Sequence, residues 1–280
     1  MKVWLNGKLV DDEAACVSPA DHGLLVGDGV FETLRCYAGV PFALEDHLER
    51  LEEGARALLL EPPARERLME AARAVIEANA LGDARMRITL TSGPGPPGLL
   101  RGDGEPTVLV TAQPLSAWPP TASAIVSKLR RDQDSPVASV KTISLAESVM
   151  ALSEARASGA AEAILLNRRG DVCEATTANV FCVRDGRVAT PSVSSGCLAG
   201  ITRGCVLELC ADLRLPALET ELPAAALQEA DELFLTSSTR EVQPLVELDG
   251  RPVGMGAPGE TTARLAEAYR GMVLAKLDVE

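Results

Sequence analysis

At the start of the chain the spacing of apolar and polar positions changes several times, and each change predicts a different element. Asn6-Gly7 lies between two short apolar runs and tolerates positive φ at both turn positions, so residues 3–10 are expected to form a tight β-hairpin. A strand-like run follows over residues 30–37. Apolar residues then recur at intervals of three and four, which predicts helices over 44–60 and 64–80.

Further along, the pattern predicts a division into two domains. Strand-like runs over 86–91 and 107–112 are separated by a loop rich in Gly and Pro. Consecutive prolines stiffen residues 115–120, which we expect to link a domain of residues 1–114 to one of residues 121–280. In the second domain we expect strands near 124–129, 162–167, 179–183, 188–190 and 232–236, and helices near 144–158, 202–213, 223–229 and 259–277. This mixed order predicts the α+β class rather than strict β–α–β alternation.

Composition and charge exclude several classes of protein. The chain has 280 residues, of which 46% are hydrophobic and 24% charged, so it has ample apolar surface for a folded core. A net charge of −13 repels a phosphate backbone, and no nucleic-acid partner is expected. No apolar run approaches the ~20 residues that a membrane helix needs, and the first residues lack the apolar segment of a signal peptide. We therefore expect a cytoplasmic protein without a membrane partner.

The cysteines, histidines and glycine-rich segment indicate neither a metal site nor a dinucleotide-binding motif. The seven cysteines show no CxxC spacing and lie mostly in apolar stretches, so they are expected to be reduced, buried thiols. Only two histidines are present, His22 and His47, and no metal site is expected. Residues 93–98, GPGPPG, match a dinucleotide fingerprint in letters, but their prolines forbid the helix that must follow it. We expect a loop there that borders a site.

One lysine stands out because lysine is scarce, with five residues beside 22 arginines. Lys141 lies in SPVASVKTISLAES, where Val137 and Val140 indicate a buried strand end. A lysine in such a place loses hydration, its pKa falls, and its free amine can attack a carbonyl group to form a Schiff base. A lysine whose charged head reaches solvent is the alternative interpretation.

Three later features carry further chemistry. Glu174 lies in DVCEATTANVF, just before a predicted strand. Residues 200–202 begin an amphipathic helix, where free backbone amides and the positive end of the helix dipole suit a phosphate group. Residues 237–239 follow a strand directly and offer three hydroxyl groups. Simple helix capping is the alternative role for Thr202.

Six segments then point to one family. The segments DHGLLVGDGVFETLR, EDHLERL, VKTISLAES, EATTANVF, LAGITR and ELFLTSSTREVQP occur in the order and approximate spacing of the class IV aminotransferases. The chain thus resembles this family, the fold-type-IV enzymes that use pyridoxal 5'-phosphate, from about residue 2 to residue 275. The resemblance implies a small N-terminal α/β domain and a larger C-terminal β-barrel-like domain. It also implies a homodimer whose small-molecule substrates are amino acids and keto acids.

The resemblance also implies roles for individual residues. Lys141 matches the lysine that forms the Schiff base and then moves the proton between substrate Cα and cofactor C4′. Glu174 matches the acid that pairs with the pyridine nitrogen and keeps it protonated. The remaining cofactor contacts match Arg50, Ile201, Thr202 and Ser238 at the phosphate, and Leu198 on one face of the ring. For Arg50, an ion pair with another residue of its own helix is the alternative.

The substrate carboxylate requires a cation, because a planar guanidinium can bind a carboxylate with two hydrogen bonds. Arg85, Arg87 and Arg101 are the candidates, and we expect Arg87 to fill this role. Phe31 and Thr239 are the other expected substrate contacts. An outward-facing strand charge is the alternative for Arg87.

Within the family, the preferred interpretation is a transaminase that moves an amino group between an amino acid, preferably a D-amino acid, and an α-keto acid such as 2-oxoglutarate. The D-amino-acid enzymes match this chain well at VKTISLAES, but carry Arg-x-His where it has residues 97–99, Pro-Gly-Leu. The branched-chain L-amino-acid enzymes match at Arg87, but carry a tyrosine where it has Arg85. The motifs are also compatible with an aminodeoxychorismate lyase, an R-selective amine transaminase or a non-catalytic binding scaffold.

Overall fold

The computed structural model describes residues 1–277, and these form two units. One unit comprises residues 1–116 and 140–144, and the other comprises residues 117–139 and the chain from residue 145 onward. The predicted boundary at 115–120 stays a prediction. The segment 140–144, which that prediction assigned to the second domain, hydrogen-bonds instead to the sheet of the first unit.

The first unit is an antiparallel sheet of six strands packed against helices. Its elements are β1 (Lys2–Leu5), β2 (Lys8–Asp11), α1 (His22–Val26), β3 (Gly29–Tyr37), β4 (Val40–Pro41), α2 (Leu44–Ala57), α3 (Arg65–Ala78), β5 (Ala84–Thr91) and β6 (Thr107–Pro114). The strand order is β2-β1-β6-β5-β3-β4. Helix α2 packs on β3, and α3 packs on β1 and β6, so the apolar faces of both helices share one core with the sheet.

The predicted elements of this unit are confirmed, but α2 is shorter than predicted, and α1 and the two-residue strand β4 were not predicted. Helix α2 ends at Ala57 rather than at residue 60, because Leu59 adopts a left-handed φ of 58° and is exposed to solvent. Pro62 and Pro63 follow closely and disfavour a helical backbone before them. Helix α1 was not predicted, because five residues are too few to show a helical period.

The second unit is built on a mixed sheet of nine strands. Its elements are β7 (Ala122–Arg131), α4 (Ala146–Ala157), β8 (Glu162–Asn167), β9 (Val172–Ala175), β10 (Asn179–Arg184), β11 (Arg187–Pro191), α5 (Ile201–Asp212), β12 (Ala217–Thr220), α6 (Ala225–Gln228), β13 (Glu232–Ser237), β14 (Glu241–Leu248), β15 (Arg251–Pro252) and α7 (Glu260–Leu277). The strand order is β12-β11-β10-β13-β14-β7-β8-β9, and β15 pairs with β14. Strand β9, the last in this order, also contacts β10 and β11, so the sheet curls on itself. The predicted α+β class and the barrel-like second sheet are confirmed.

Four strands of this sheet, β9, β12, β14 and β15, were not predicted. In β14, Pro244 lies opposite Phe234 of β13, and a proline within a run usually argues against a strand because it lacks the amide donor. The ladder between β14 and β7 shifts register between Leu245 and Glu247, just after this proline. The other strands and helices predicted for this half are confirmed to within a few residues.

The structure bears on the predictions about membrane helices and about the cysteines. No helix within residues 1–277 is long and apolar enough to cross a membrane, and the cytoplasmic location stays a prediction. All seven cysteines lie in the described range as free thiols, and all but Cys16 are buried.

Candidate functional site

Lys141 lies on a short extended segment that pairs with β3. Phe31 N–H donates to the Lys141 carbonyl at 2.9 Å, and Ile143 N–H donates to the Gly29 carbonyl at 3.0 Å. The lysine side chain is half-buried, and its Nζ lies 4.7 Å from the centroid of the Phe31 ring. The expectation of a buried strand end is wrong for Val137, which is exposed, because the pairing with β3 covers only the residues around Lys141. The backbone of β3 thus fixes the lysine beside an aromatic ring.

Arg87 packs on the same aromatic ring. Its guanidinium carbon lies 3.7 Å from the centroid of the Phe31 ring, and its Nε donates to Thr89 Oγ1 at 3.0 Å. Burial, and then the neighbouring charge of Arg85, lower the pKa of Arg87 to about 10. No carboxylate among residues 1–277 forms an ion pair with it. A half-buried cation without an anionic partner is suited to bind a carboxylate group.

The other two candidate cations are placed differently. Arg101 donates to both oxygens of Asp28 at 2.7 Å, and also to the carbonyls of Leu58 and Leu59 at the end of α2. These bonds attach the 93–105 loop to the rest of the first unit. Arg85 points into solvent. Of the three arginines, Arg87 has the geometry of a carboxylate-binding residue.

Arg50, on α2, is held by a buried carboxylate on β3. Its Nε and Nη2 donate to the two oxygens of Glu32 at 2.8 and 2.7 Å, and His47 Nδ1 donates to the same carboxylate at 2.7 Å. Burial opposes ionisation of Glu32, but the charge and hydrogen bonds of Arg50 and the hydrogen bond from His47 outweigh it. The pKa of Glu32 therefore falls to about 2. Burial lowers the pKa of His47, and its Nδ1 carries the shared hydrogen because the ionised carboxylate can only accept.

Sequence reasoning missed Glu32 and His47. One signal was an acidic residue inside the apolar run VFETL, and another was a histidine three residues before Arg50, on the same face of α2.

In the second unit, Glu174 on β9 accepts hydrogen bonds from Arg131 and from the backbone at Leu198. Arg131 Nη2 donates to Oε1 at 3.1 Å, and the Leu198 backbone N–H donates to Oε2 at 2.9 Å. The side chains that flank this pair, Cys173 and Cys197, are buried. The carboxylate is therefore fixed in orientation. Arg131 lies on β7, 43 residues earlier in the chain, and no sequence motif pointed to it.

Helix α5 begins at Ile201 without a side-chain cap. Gly200 is its N-cap residue and provides no hydrogen-bonding side chain. The amides of Ile201 and Thr202 have no acceptor within the helix, and the positive end of the helix dipole favours an anion. A Cβ at Gly200 would overlap Oδ1 of Asn179, so only glycine allows the backbone to approach this closely. This helix start has the geometry of a phosphate cradle.

The turn between β13 and β14 carries Ser238 and Thr239, both half-buried. Thr236, the next-to-last residue of β13, pairs in register with Asn179 of β10. The Asn179 side chain in turn donates to the Leu198 carbonyl at 2.8 Å. Strand β10 therefore connects the β13–β14 turn to the segment that precedes α5.

The candidate residues fall into two groups, one in each unit. The first unit holds Phe31, Arg50, Arg87 and Lys141, and the second holds Glu174, Leu198, Ile201, Thr202, Ser238 and Thr239. An amine can condense with an aldehyde, a helix start with free amides can bind a phosphate, and an oriented carboxylate can pair with a protonated ring nitrogen. Pyridoxal phosphate carries all three groups. The fold and these residues define a pyridoxal-phosphate enzyme of fold type IV.

Comparisons with known proteins agree with this class. The family model for Amino-transferase class IV matches residues 29–248. A putative branched-chain-amino-acid aminotransferase of Methanocaldococcus jannaschii is 39% identical over 96% of this chain and 96% of its own. The D-alanine aminotransferase of Bacillus licheniformis is 32% identical over 99% of this chain and 98% of its own.

A solved structure with similar architecture gives the same result. The T.th. branched-chain amino acid aminotransferase, complexed with N-(5'-phosphopyridoxyl)-L-glutamate, has a TM-score of 0.91 and 32% identity, covering 97% of this chain and 93% of that chain. The chain belongs to the class IV aminotransferases, and its cofactor is pyridoxal 5'-phosphate. The expected preference for D-amino acids is not confirmed, and the branched-chain alternative fits the relatives better.

Proposed function

We propose that this enzyme transfers the amino group of a branched-chain L-amino acid to 2-oxoglutarate. The observation that carries this proposal is the 39% identity, over 96% of both chains, to a relative named as a putative branched-chain enzyme, against 32% for the D-alanine enzyme. The L-glutamate derivative bound to the similar solved structure supports the choice of amino-group acceptor.

The surroundings of Arg87 support the same substrates. A branched-chain side chain needs an apolar surface, whereas 2-oxoglutarate brings a second carboxylate. The Phe31 ring offers the apolar surface, and the guanidinium packed on it offers a cation without a carboxylate partner among the described residues. We assign Arg87 to a substrate carboxylate and Phe31 to the aliphatic chain, with Thr239 as a further substrate contact.

We assign cofactor roles to residues of each unit separately. Arg50, the amides of Ile201 and Thr202, and the Ser238 hydroxyl would bind its phosphate, and Leu198 would pack on its ring. The Glu174 carboxylate, oriented by Arg131 and Leu198, would hold the proton of the ring nitrogen. When bound, pyridoxal phosphate supplies an electron-accepting ring joined to the substrate amine. Lys141 would attach the cofactor, and its Nζ would then take the proton from the substrate Cα.

A panel of amino donors tests this proposal. The holoenzyme is incubated with 2-oxoglutarate and L-leucine, L-isoleucine, L-valine or D-alanine, and the glutamate formed is resolved by chirality. We expect L-glutamate from the three branched-chain donors. D-glutamate formed faster from D-alanine would contradict the proposal.

A D-amino-acid transaminase is the second candidate, because the D-alanine aminotransferase is 32% identical over 99% of this chain. At residues 97–99, however, this chain lacks the Arg-x-His segment that is typical of that subgroup. In addition, Arg101, the arginine of this loop, is occupied by Asp28. These two observations favour the branched-chain proposal.

We also propose that the enzyme is a homodimer. Leu24, Leu99 and Leu100 of the first unit are 70%, 85% and 78% exposed. A hydrogen bond of 2.9 Å between His22 Nε2 and the Pro96 carbonyl joins the two segments that carry them. Large apolar side chains exposed on adjoining segments are typical of a surface that another chain covers.

A further inference from the structure

A buried ion pair in the second unit lies next to the proposed phosphate contacts. Arg240 follows Ser238 and Thr239 directly, and its Nη2 donates to Glu162 Oε2 at 2.9 Å. The two side chains are only 3% and 1% exposed. The free energy needed to remove two charges from water can exceed the gain from their attraction. A buried ion pair is therefore weak evidence for stability, and its role can instead be to hold neighbouring segments in one arrangement.

The Glu162 carboxylate binds two separate turns. It accepts hydrogen bonds from the hydroxyls of Thr176 and, at 2.7 Å, Thr177, which lie between β9 and β10, just after Glu174. Arg240, in the β13–β14 turn, donates to the same carboxylate and also to Thr177 Oγ1 at 2.8 Å. One carboxylate thus joins the segment after the proposed ring-nitrogen acid to the turn with the proposed phosphate hydroxyl.

The β13–β14 turn needs such support. Glu241, the residue after Arg240, has a left-handed φ of 58°, which a residue with a side chain adopts only when its surroundings hold it there. Trp118 packs on the Arg240 guanidinium at 4.2 Å from the ring centroid, and Arg240 Nη1 donates to Gln243 Oε1 at 3.1 Å. Gln243 Nε2 then donates to the Pro119 carbonyl at 2.7 Å. Arg240 is therefore fixed from several directions.

We propose that the Glu162–Arg240 pair is a positioning pair, which holds the β13–β14 turn so that Ser238 can bind the cofactor phosphate. This proposal rests on the proposed function in one respect, which is that Ser238 in this turn contacts the cofactor phosphate. Neither side chain needs to touch the cofactor, and neither is a catalytic residue. Their effect is on where the Ser238 hydroxyl lies.

The test compares two ligands that differ only in the phosphate group. The full chain, freed of cofactor, is titrated with pyridoxal 5'-phosphate and with pyridoxal, and the ratio of the two dissociation constants measures the contribution of the phosphate. The main variant is Glu162→Gln combined with Arg240→Gln, since removing both charges leaves no unpaired buried charge. Arg184→Gln, which removes an exposed arginine from an ion pair at the far end of β10, is the matched control.

We expect the double variant to keep a melting temperature near that of the wild type and to lose about tenfold or more of the phosphate preference, since small misplacements of a binding group are costly. The control should keep the wild-type ratio. An unchanged ratio in the double variant, or an equal loss of affinity for both ligands, overturns the proposal. Ser238→Ala tests the proposed function separately from the positioning pair. An unchanged ratio in that variant would show that Ser238 does not contact the phosphate.

Discussion

At the scale of single residues, the partner of a charged side chain decides what that side chain can do. Arg50 is fixed by Glu32, and Arg101 is occupied by Asp28 and two carbonyls. Arg87 has an aromatic ring and a threonine hydroxyl, but no carboxylate partner in the described part of the chain. Of these three arginines, Arg87 is the one whose described partners include no carboxylate, and for this reason we propose that it binds the substrate carboxylate.

Replacing Arg87 should therefore weaken binding of the keto acid more than it slows the chemistry. For Arg87→Gln we expect the KM for 2-oxoglutarate to rise by on the order of 10²-fold, the usual effect of losing a charged hydrogen-bonded partner. Steady-state kinetics measure this change. Arg85→Gln, two residues away on β5 and exposed, is the control and should stay near the wild type. Equal effects of the two substitutions would remove Arg87 from its proposed role.

Lys141 gives the second prediction at this scale. Lys141→Ala should abolish turnover, because no other amine would attach the cofactor or take the proton from the substrate. Borohydride reduction of the holoenzyme, followed by peptide mapping, should place the cofactor on the peptide that contains Lys141. Lys128→Ala serves as the control and should be labelled as the wild type is. A label on any other lysine would disprove the assignment.

At the scale of elements, one ionised carboxylate adds to the apolar packing between β3 and α2. Glu32 on β3 holds both Arg50 and His47 of α2, and its pKa is lowered from 4.5 to about 2. A lowered carboxyl pKa stabilises the fold above the unfolded pKa, and this contribution is lost as the pH falls toward the folded value.

Comparison with Glu32→Gln tests this dependence. Near neutral pH we expect the variant to be less stable by about 3 kcal/mol, because Arg50 loses its buried counter-charge. The difference in the free energy of unfolding should shrink as the pH falls from 4.5 toward 2, the interval between the two pKa values. Urea denaturation of both proteins between pH 6 and pH 3 measures it. A difference that stays constant over this range would contradict the prediction.

Local sequence patterns located most of the elements and the motifs, but not the contacts between them. Periodicity located α2 and α3, and the family motifs located Lys141 and Glu174. The partners of the charged site residues come from other elements, as Arg131 does at 43 residues from Glu174. Strand β14 was missed because Pro244 lies within it. Such contacts depend on strand order in the folded sheet, which a local pattern does not contain.

At the scale of the whole molecule, the exposed leucines of the first unit predict a dimer interface that charged substitutions should disrupt. The variant carrying Leu99→Glu and Leu100→Glu should sediment as a monomer, whereas the wild type should sediment as a dimer, because buried charges without partners oppose association. Met255→Glu changes an even more exposed apolar side chain, in the second unit, and is the control. A wild-type monomer, or a dimer that survives the double substitution, would contradict the proposed homodimer.

The segment that carries Lys141 also limits how this chain can be divided. The polypeptide passes from one unit to the other after residues 116, 139 and 144, so no single cut releases the first unit as one continuous piece. A gene fragment ending at residue 116 would encode a sheet without the segment that pairs with β3, and without its lysine. The first unit is therefore unsuited to exchange between genes as an independent module, and we expect the two units to be inherited together.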